Sequence, residues 1–284
     1  MPTRVLHLFV SLPVGGAENL LLSVLQRLDA ARFRSVVCCI GDKGIIGKRV
    51  EELGIPVIEL GKLRRGGWDG SVVEDLLRVI GEQRIALLHS HLYHANFYGR
   101  LAARRAGIPC IASIHNTYTR PKWHRRLINR YLGRCTARFI AGSEEIRRDI
   151  VRYDGIDPAK IEVIANAIDL GRAESTLSRE AARLRLGVAA DSVVLGTIGR
   201  LEEQKGHRFL LQALALLAQR DLHPQLLLVG DGRLQQPLRD EARALGVDGQ
   251  VQMLGTRDDL GDLLRAMDLF VMPSLWEGLS LAML

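Results

Sequence analysis

Arg200 and Lys205 stand five residues apart in the stretch Gly199-Arg200-Leu201-Glu202-Glu203-Gln204-Lys205-Gly206, directly after an apolar run at 193–198. Two cations at the carboxyl end of a strand, one of them opening a helix, suit a diphosphate. A guanidinium clamps phosphate oxygens bidentately, and an ammonium adds a point charge. A second strand-length run, 269–272, stops at Pro273-Ser274 and continues as Leu275-Trp276-Glu277-Gly278-Leu279-Ser280-Leu281-Ala282-Met283-Leu284. The small and apolar residues after Glu277 predict a helix start there. Free N–H groups at such a start attract a phosphate or a cluster of sugar hydroxyls. Glu277 stands at its lip as an acceptor for hydroxyls. Each feature also has a plainer reading, as a solvated strand-end Arg or an ordinary βα turn.

Other polar residues fall at strand ends in the same way. Gly15 and Gly16 separate a first strand at 5–10 from a helix at 17–28, which lets a ligand approach the backbone closely. The run 85–89 opens onto His91, Tyr93 and His94, and the run 110–114 onto His115. That carboxyl edge is where open α/β sheets hold their ligands. His89, His91 and His94 invite a zinc reading, but no cysteine or carboxylate closes the set with ligand spacing, and no metal site is expected. Gly230-Asp231-Gly232 matches half a dinucleotide fingerprint, with Gln235 in the third glycine's place. The run 41–49 falls short of a phosphate-binding P-loop: it is one residue too long and puts Arg49 where a Ser or Thr is required.

The elements that must position these residues alternate. Strand-like runs at 5–10, 35–40, 57–60, 85–89, 110–114, 138–141 and 161–164 are separated by helical periodicity, which predicts a doubly wound parallel sheet. Ser143 is an expected N-cap. The polar stretch 171–179 carries no periodic signal, so the first domain is expected to span 1–170 and the second 171–284. The pattern restarts with strands at 193–198, 226–229, 251–254 and 269–272, and helices at 206–219, 234–245 and 258–267, the last with a weak capping box from Thr256 to Asp259. A complete second domain of this type would need on the order of 60 further residues, so C-terminal truncation is expected.

Composition bounds the class. The 284 residues are 47% hydrophobic and 25% charged, a globular composition in which no apolar run approaches the ~20 residues of a membrane span. Four cysteines show neither paired-ligand spacing nor a disulfide framework, and no signal peptide precedes the first strand, so a cytoplasmic location is expected. The net charge of +7 is uneven: residues 1–170 hold 26 Lys+Arg against 17 Asp+Glu, and the remainder 13 against 15. The densest basic segment carries Arg120, Lys122, Arg125, Arg126, Arg130, Arg134 and Arg138 without an acid, with Trp123, Leu127, Tyr131 and Cys135 in similar register. It reads as one basic amphipathic helix. Its cationic face is either solvated over a core stripe or held at an anionic membrane surface, which would make the protein peripheral at the inner face of the membrane. Nucleic acid is not an expected partner, since no recognition motif accompanies the charge.

The closing dodecapeptide resembles the donor-site signature of family-four retaining glycosyltransferases, in which a Glu is followed eight positions later by a second. Glu277 matches the first; the second would fall one residue beyond Leu284. Gly15-Gly16-Ala17-Glu18, the His91 segment, His115, Gly142-Ser143, residues 166–169, Gly199 to Gly206 and Gly230 to Gly232 occur in that family's order. The resemblance implies an α/β GT-B fold, two Rossmann-like domains facing a cleft, here with the second incomplete. It implies donor binding mainly by the second domain and acceptor binding by the first. Arg200 and Lys205 would then neutralise the donor diphosphate, while Glu277 and the backbone of Gly278 and Leu279 hold the donor sugar. Gly16, beside Gly15, would bring its N–H to the phosphate, Gly230 would line the donor site, and His115 would bond the sugar near the reacting centre. His91 and Asn166 would lie on the acceptor side. The implied function is metal-independent transfer of a hexose, with no cofactor, from a UDP-sugar in preference to a GDP-sugar onto a glycan or lipid-linked acceptor in cell-surface polysaccharide synthesis. The absence of an Asp-x-Asp motif agrees with metal independence. A nucleotide-sugar epimerase on the same scaffold and a non-catalytic sugar-binding fragment are the rivals. One departure stands out: Ala167 replaces the family's Gly after Asn166, and Ala resists positive φ.

Overall fold

A computed structural model of the chain describes residues 1–62, 68–117 and 123–284. It contains two compact units, Met1–Ile168 with Gly278–Leu284, and Asp169–Glu277. The last seven residues, expected with the second domain, therefore group with the first unit.

Unit 1 is built from β1 (Thr3–Phe9), α1 (Gly16–Arg27), β2 (Phe33–Cys39), α2 (Gly44–Glu52), β3 (Val57–Glu59), α3 (Ser71–Glu82), β4 (Leu87–His91), α4 (Tyr93–Ala106), β5 (Cys110–Ile114), α5 (Trp123–Gly133), β6 (Arg138–Ala141), α6 (Glu144–Asp149) and β7 (Ile161–Val163). Its seven strands form one sheet in the order β3-β2-β1-β4-β5-β6-β7, and every pair is parallel. Parallel strands need crossovers, so helices cover both faces and the strands read as apolar runs. Leu6, Leu8 and Leu88 pack with Leu76, Tyr98 and Ala102 on one face. Phe9, Val37 and Cys39 pack with Leu21, Leu25 and Val50 on the other. Each of the Leu, Val and Phe side chains among them contributes roughly 1.5–3 kcal/mol when fully buried.

A buried polar network fastens α4 and α5 to the sheet. Arg100 donates to Asn129 Oδ1 at 2.6 Å and to the Asn96 carbonyl at 2.9 Å, Asn129 Nδ2 donates to Asp154 at 3.1 Å, and Asn96 Nδ2 donates to the Ser113 carbonyl at 2.9 Å. It faces α5 the opposite way from the periodicity. The buried positions are Asn129, Leu132 and Gly133, while Trp123, Leu127 and Tyr131 are exposed. The expected core stripe is thus an outward stripe. The helix also ends at Gly133, where a Cβ would strike Ile156, and Arg138 belongs to β6. Arg120 and Lys122 lie outside the described residues. Ser143 caps α6, accepting from the Ile146 N–H at 3.3 Å.

Unit 2 contains α7 (Arg179–Arg185), β8 (Val194–Ile198), α8 (His207–Ala218), β9 (Gln225–Val229), α9 (Gln235–Ala244), β10 (Val251–Gly255), α10 (Leu260–Ala266) and β11 (Leu269–Phe270). Its sheet is parallel with the order β10-β9-β8-β11. Leu227 and Val229 face one core cluster, Leu226 and Leu228 the other. The short α7 has no counterpart in the sequence reading. Ser178 caps it, and its buried Arg183 donates to Asp268 at 2.6 Å, with the Ala266 and Ala190 carbonyls at 3.1 and 2.6 Å. The expected Thr256 capping box does not form. α10 begins at Leu260, and Asp259 instead accepts two bonds from Arg257.

Candidate functional site

Open parallel sheets bind ligands where the strand order reverses, because the chain leaves two adjacent strands toward opposite faces there. In unit 1 that point lies between β1 and β4. β4 turns into α4 at Leu92, whose φ of 65° and ψ of 170° are sparsely populated for a non-glycine residue. Such backbone costs on the order of 1–3 kcal/mol and concentrates at functional sites. His91, the last residue of β4, is buried with Nδ1 3.2 Å from His115 Nε2. Burial pushes the His115 pKa down to about 4. Burial, then the neighbouring His89, His115 and His7, hold His91 well below the usual imidazole value. Both rings are therefore neutral at neutral pH, each with one donor and one acceptor nitrogen.

The last residues of the chain pack against this edge. Gly278 approaches the His115 carbonyl and Ile146 so closely that a Cβ would have no room. Asn166 Nδ2 donates to the Leu279 carbonyl at 2.8 Å, and the Leu281 side chain lies over Gly16. Gly16, His91, His115, Asn166, Gly278 and Leu279, separated by up to 263 positions in sequence, thus share one neighbourhood. Gly15 is the extended N-cap of α1. Its carbonyl accepts from Asn19 Nδ2 at 2.8 Å, and the Glu18 carboxylate fills the space a side chain at Gly15 would need. The helix expected after Glu277 is only a turn, closed by Met283 N–H to the Ser280 carbonyl at 3.1 Å. Ala167 is not among the described residues with positive φ, so its departure from Gly carries no strain.

In unit 2 the order reverses between β8 and β11. Lys205 follows β8 and Glu277 follows β11, and Lys205 Nζ lies 2.5 Å from Glu277 Oε1 with both side chains about 15% exposed. Gln204, which the sequence reading passes over, ties the two loops together. Its Nε2 donates to the Trp276 carbonyl at 2.9 Å, and its own carbonyl accepts from the Leu275 N–H at 2.8 Å. Nothing about a lone Gln beside a Lys marks this role. Gly206, at φ 65°, lets the start of α8 press against the Pro273 carbonyl. The twelve-residue α8 begins there, at His207, which burial and then the Lys205 charge push down to about 4. Arg200 is exposed at the mouth of the same loop. Gly230, at φ 132°, lies against the Gly199 carbonyl, and Leu201 N–H donates to the Asp231 carbonyl at 2.9 Å. Loop-on-loop packing accounts for this glycine. The edge offers a cation, an exposed guanidinium, a carboxylate and a helix N-terminus, a set suited to an anion carrying hydroxyls.

Residues 14–172 match the family model for Glycosyltransferase Family 4, and residues 192–284 match that for glycosyl transferases group 1. The chain is 30% identical over 220 residues to the Escherichia coli UDP-Gal:alpha-D-GlcNAc-diphosphoundecaprenol alpha-1,3-galactosyltransferase, covering 74% of this chain and 57% of that one. It is 32% identical over 227 residues to the D-inositol 3-phosphate glycosyltransferase of Salinispora arenicola, covering 70% of this chain and 50% of the relative. The sequence thus spans between half and three-fifths of the length of these two relatives. Among solved structures, Anabaena HepE in complex with UDP superposes with a TM-score of 0.75 at 25% identity, over 96% of this chain and 74% of HepE.

Proposed function

Because the chain belongs to glycosyltransferase family 4, we propose that it takes part in transferring a hexose from a nucleotide-diphosphate sugar to a glycan or lipid-linked acceptor, with retention of configuration. The reading rests on one observation: Lys205 and Glu277 meet at the strand reversal of unit 2, beside the N-terminus of α8. Departure of the nucleoside diphosphate develops negative charge on its outer phosphate. Lys205, Arg200 and the N-terminal end of α8 would stabilise that charge. The charge needs no metal on this account. Glu277 would exchange its bond to Lys205 for sugar hydroxyls as the phosphate draws the ammonium away. UDP is the favoured nucleotide, since the Escherichia coli relative is named for UDP-Gal and HepE binds UDP.

Residues 171–284 are assigned the donor side and 1–170 the acceptor side, with His115 and the backbone of Gly16, Gly278 and Leu279 facing the sugar and His91 and Asn166 toward the acceptor. A neutral imidazole can both donate to and accept from a sugar hydroxyl without holding a charge that would resist departure of the product. The acceptor reading draws on the Escherichia coli relative, whose acceptor is a diphosphoundecaprenol-linked sugar. Exposed Trp123, Leu127 and Tyr131 beside Arg126, Arg130 and Arg134 favour reversible contact of α5 with an anionic membrane bearing such an acceptor, in cell-surface polysaccharide synthesis.

The test is calorimetric titration of UDP and UDP-hexoses into the chain with a chelator present. Lys205→Ala and Arg200→Ala are each expected to weaken UDP binding by about 10- to 100-fold, the equivalent of ~1.5–3 kcal/mol. Binding unchanged in both variants sinks the diphosphate assignment.

A further inference from the structure

Beneath the His91–His115 pair lie two further imidazoles, His7 and His89, to which the sugar-transfer reading assigns no role. His7 on β1 and His89 on β4 are register partners, and His91 follows two residues later on the same face. One ring nitrogen from each of the three lies within 4.8 Å of the others. The ring centres of His89 and His91 are 4.1 Å apart, and those of His7 and His89 5.5 Å. His7 and His91 are 4% and 6% exposed. Each leaves one nitrogen without a partner, His7 Nδ1 and His91 Nε2. Burying an unpaired imidazole nitrogen costs free energy, and two side by side amount to more than a packing accident. The opposite nitrogens are engaged. His7 Nε2 meets Ser35 Oγ at 3.4 Å, His89 Nε2 meets Ser113 Oγ at 2.8 Å, and His91 Nδ1 meets His115 Nε2 at 3.2 Å. Each ring is thus tied through one nitrogen to a neighbouring group, as the outer partners of metal-ligating histidines tie theirs.

We infer that His7, His89 and His91 form a binding site for a late transition-metal ion of the zinc class, taken by three neutral imidazoles with one position open. Zinc–nitrogen bonds of ~2.0–2.1 Å place tetrahedral donors about 3.4 Å apart, so side-chain rotation must draw the nitrogens in by about 1.4 Å at most. All-imidazole donors favour zinc, copper, nickel or cobalt over magnesium or calcium. The trio differs from the one its spacing suggests, because His94 has turned onto α4 and His7 arrives from a strand 82 residues away. An ion on His91 Nε2 would require its proton on Nδ1. His91 would then donate to His115 Nε2 and hold His115 with its own proton on Nδ1. The site shares His91 with the acceptor-side reading, but metal binding is measured apart from sugar transfer.

Untagged chain, stripped with a chelator and freed of it, is titrated with Zn(II) in competition with a chromophoric chelator. One equivalent per chain at micromolar affinity or tighter is expected. His7→Leu is expected to weaken it at least tenfold with circular dichroism unchanged, and His94→Ala to leave it as it was. Because His7→Leu replaces a buried side chain, X-ray absorption of the Co(II)-loaded unmodified chain gives a second reading, in which scattering from about three imidazoles is expected. Absence of stoichiometric binding, binding that survives His7→Leu, or a cobalt shell without imidazole overturns the site and leaves the two nitrogens to buried water.

Discussion

Each of the two sheets reverses its strand order once, and the residues gathered at the two reversals differ in kind. Between β1 and β4 stand His7, His89 and His91, with His115 just after β5, His7 and His91 buried, His89 and His115 partly so, and all four held neutral by desolvation. Between β8 and β11 stand Lys205 and Glu277, charged and paired, with exposed Arg200 beside them. The same backbone solution thus serves two chemistries. Neutral imidazoles exchange hydrogen bonds with hydroxyls or bind metals, whereas a cation beside a helix N-terminus meets phosphate. The difference follows from what surrounds each edge. In unit 1 the rings are closed in by the sheet, and desolvation is the leading cause of every imidazole shift there. In unit 2 the reversal instead holds an ion pair, Lys205 with Glu277, beside the exposed Arg200.

Acid should separate the two most strongly. Burial holds the folded-state values at about 4 for His7, about 3 for His89 and about 4 for His115, with His91 also well below its ordinary value. The unfolded rings would titrate near 6.5, so between that value and about 4 the unfolded chain binds more protons. Stability present above about pH 6.5 is therefore lost as pH falls. In metal-free buffer each ring is expected to remove ~1–2 kcal/mol between pH 7 and 5. Hydrogen exchange, which resolves the units separately, should find the loss concentrated in residues 1–168. Equal protection there at both pH values would break the contrast.

A second, smaller effect tests the charged unit. Arg183 is 5% exposed, and its partner Asp268 also accepts from the Val194 N–H at 2.7 Å. That backbone bond comes first, followed by Arg183 and Arg179, in holding the Asp268 carboxyl below its ordinary value. Arg183→Met removes a buried cation that satisfies the Ala266 and Ala190 carbonyls as well as the exposed Asp268 carboxylate, and is expected to cost about 1–3 kcal/mol, read as a lower urea midpoint for unit 2. A change under ~1 kcal/mol would mean that the Ala190 and Ala266 carbonyls find other donors or water.

How far the sequence reveals this depends on whether a signal is local. Strand and helix order is legible because each element carries its own periodicity: 110–114 and 138–141 are strands to the residue, and Ser143 caps its helix as its type predicts. Lys205 and Glu277 are legible as separate strand-end residues. Their meeting is not, since it depends on β11 docking beside β8. The imidazole trio misreads for the same reason. Spacing points to His94, while parallel register delivers His7. α7 is invisible because its anchor is the tertiary pair Arg183–Asp268 and not an apolar stripe. α5 fails in the opposite direction: its apolar stripe is regular, but the buried Arg100–Asn129–Asp154 network decides which side faces in.

The smallest expected effect on stability divides structural from functional charge within unit 2. Arg183 and Lys205 both pair with a carboxylate, but Arg183 also satisfies two backbone carbonyls, whereas Lys205 donates chiefly to Glu277. Lys205→Met paired with Glu277→Gln removes both charges together and leaves no buried ion behind. The loss of a part-buried ion pair is then offset by the desolvation it no longer requires. The double variant is expected to unfold within about 1 kcal/mol of the parent, while UDP binding falls by at least tenfold. If unfolding shifts as far as it does for Arg183→Met, the pair is a structural clamp on the β8 and β11 loops. Its place at the strand reversal would then owe nothing to a ligand.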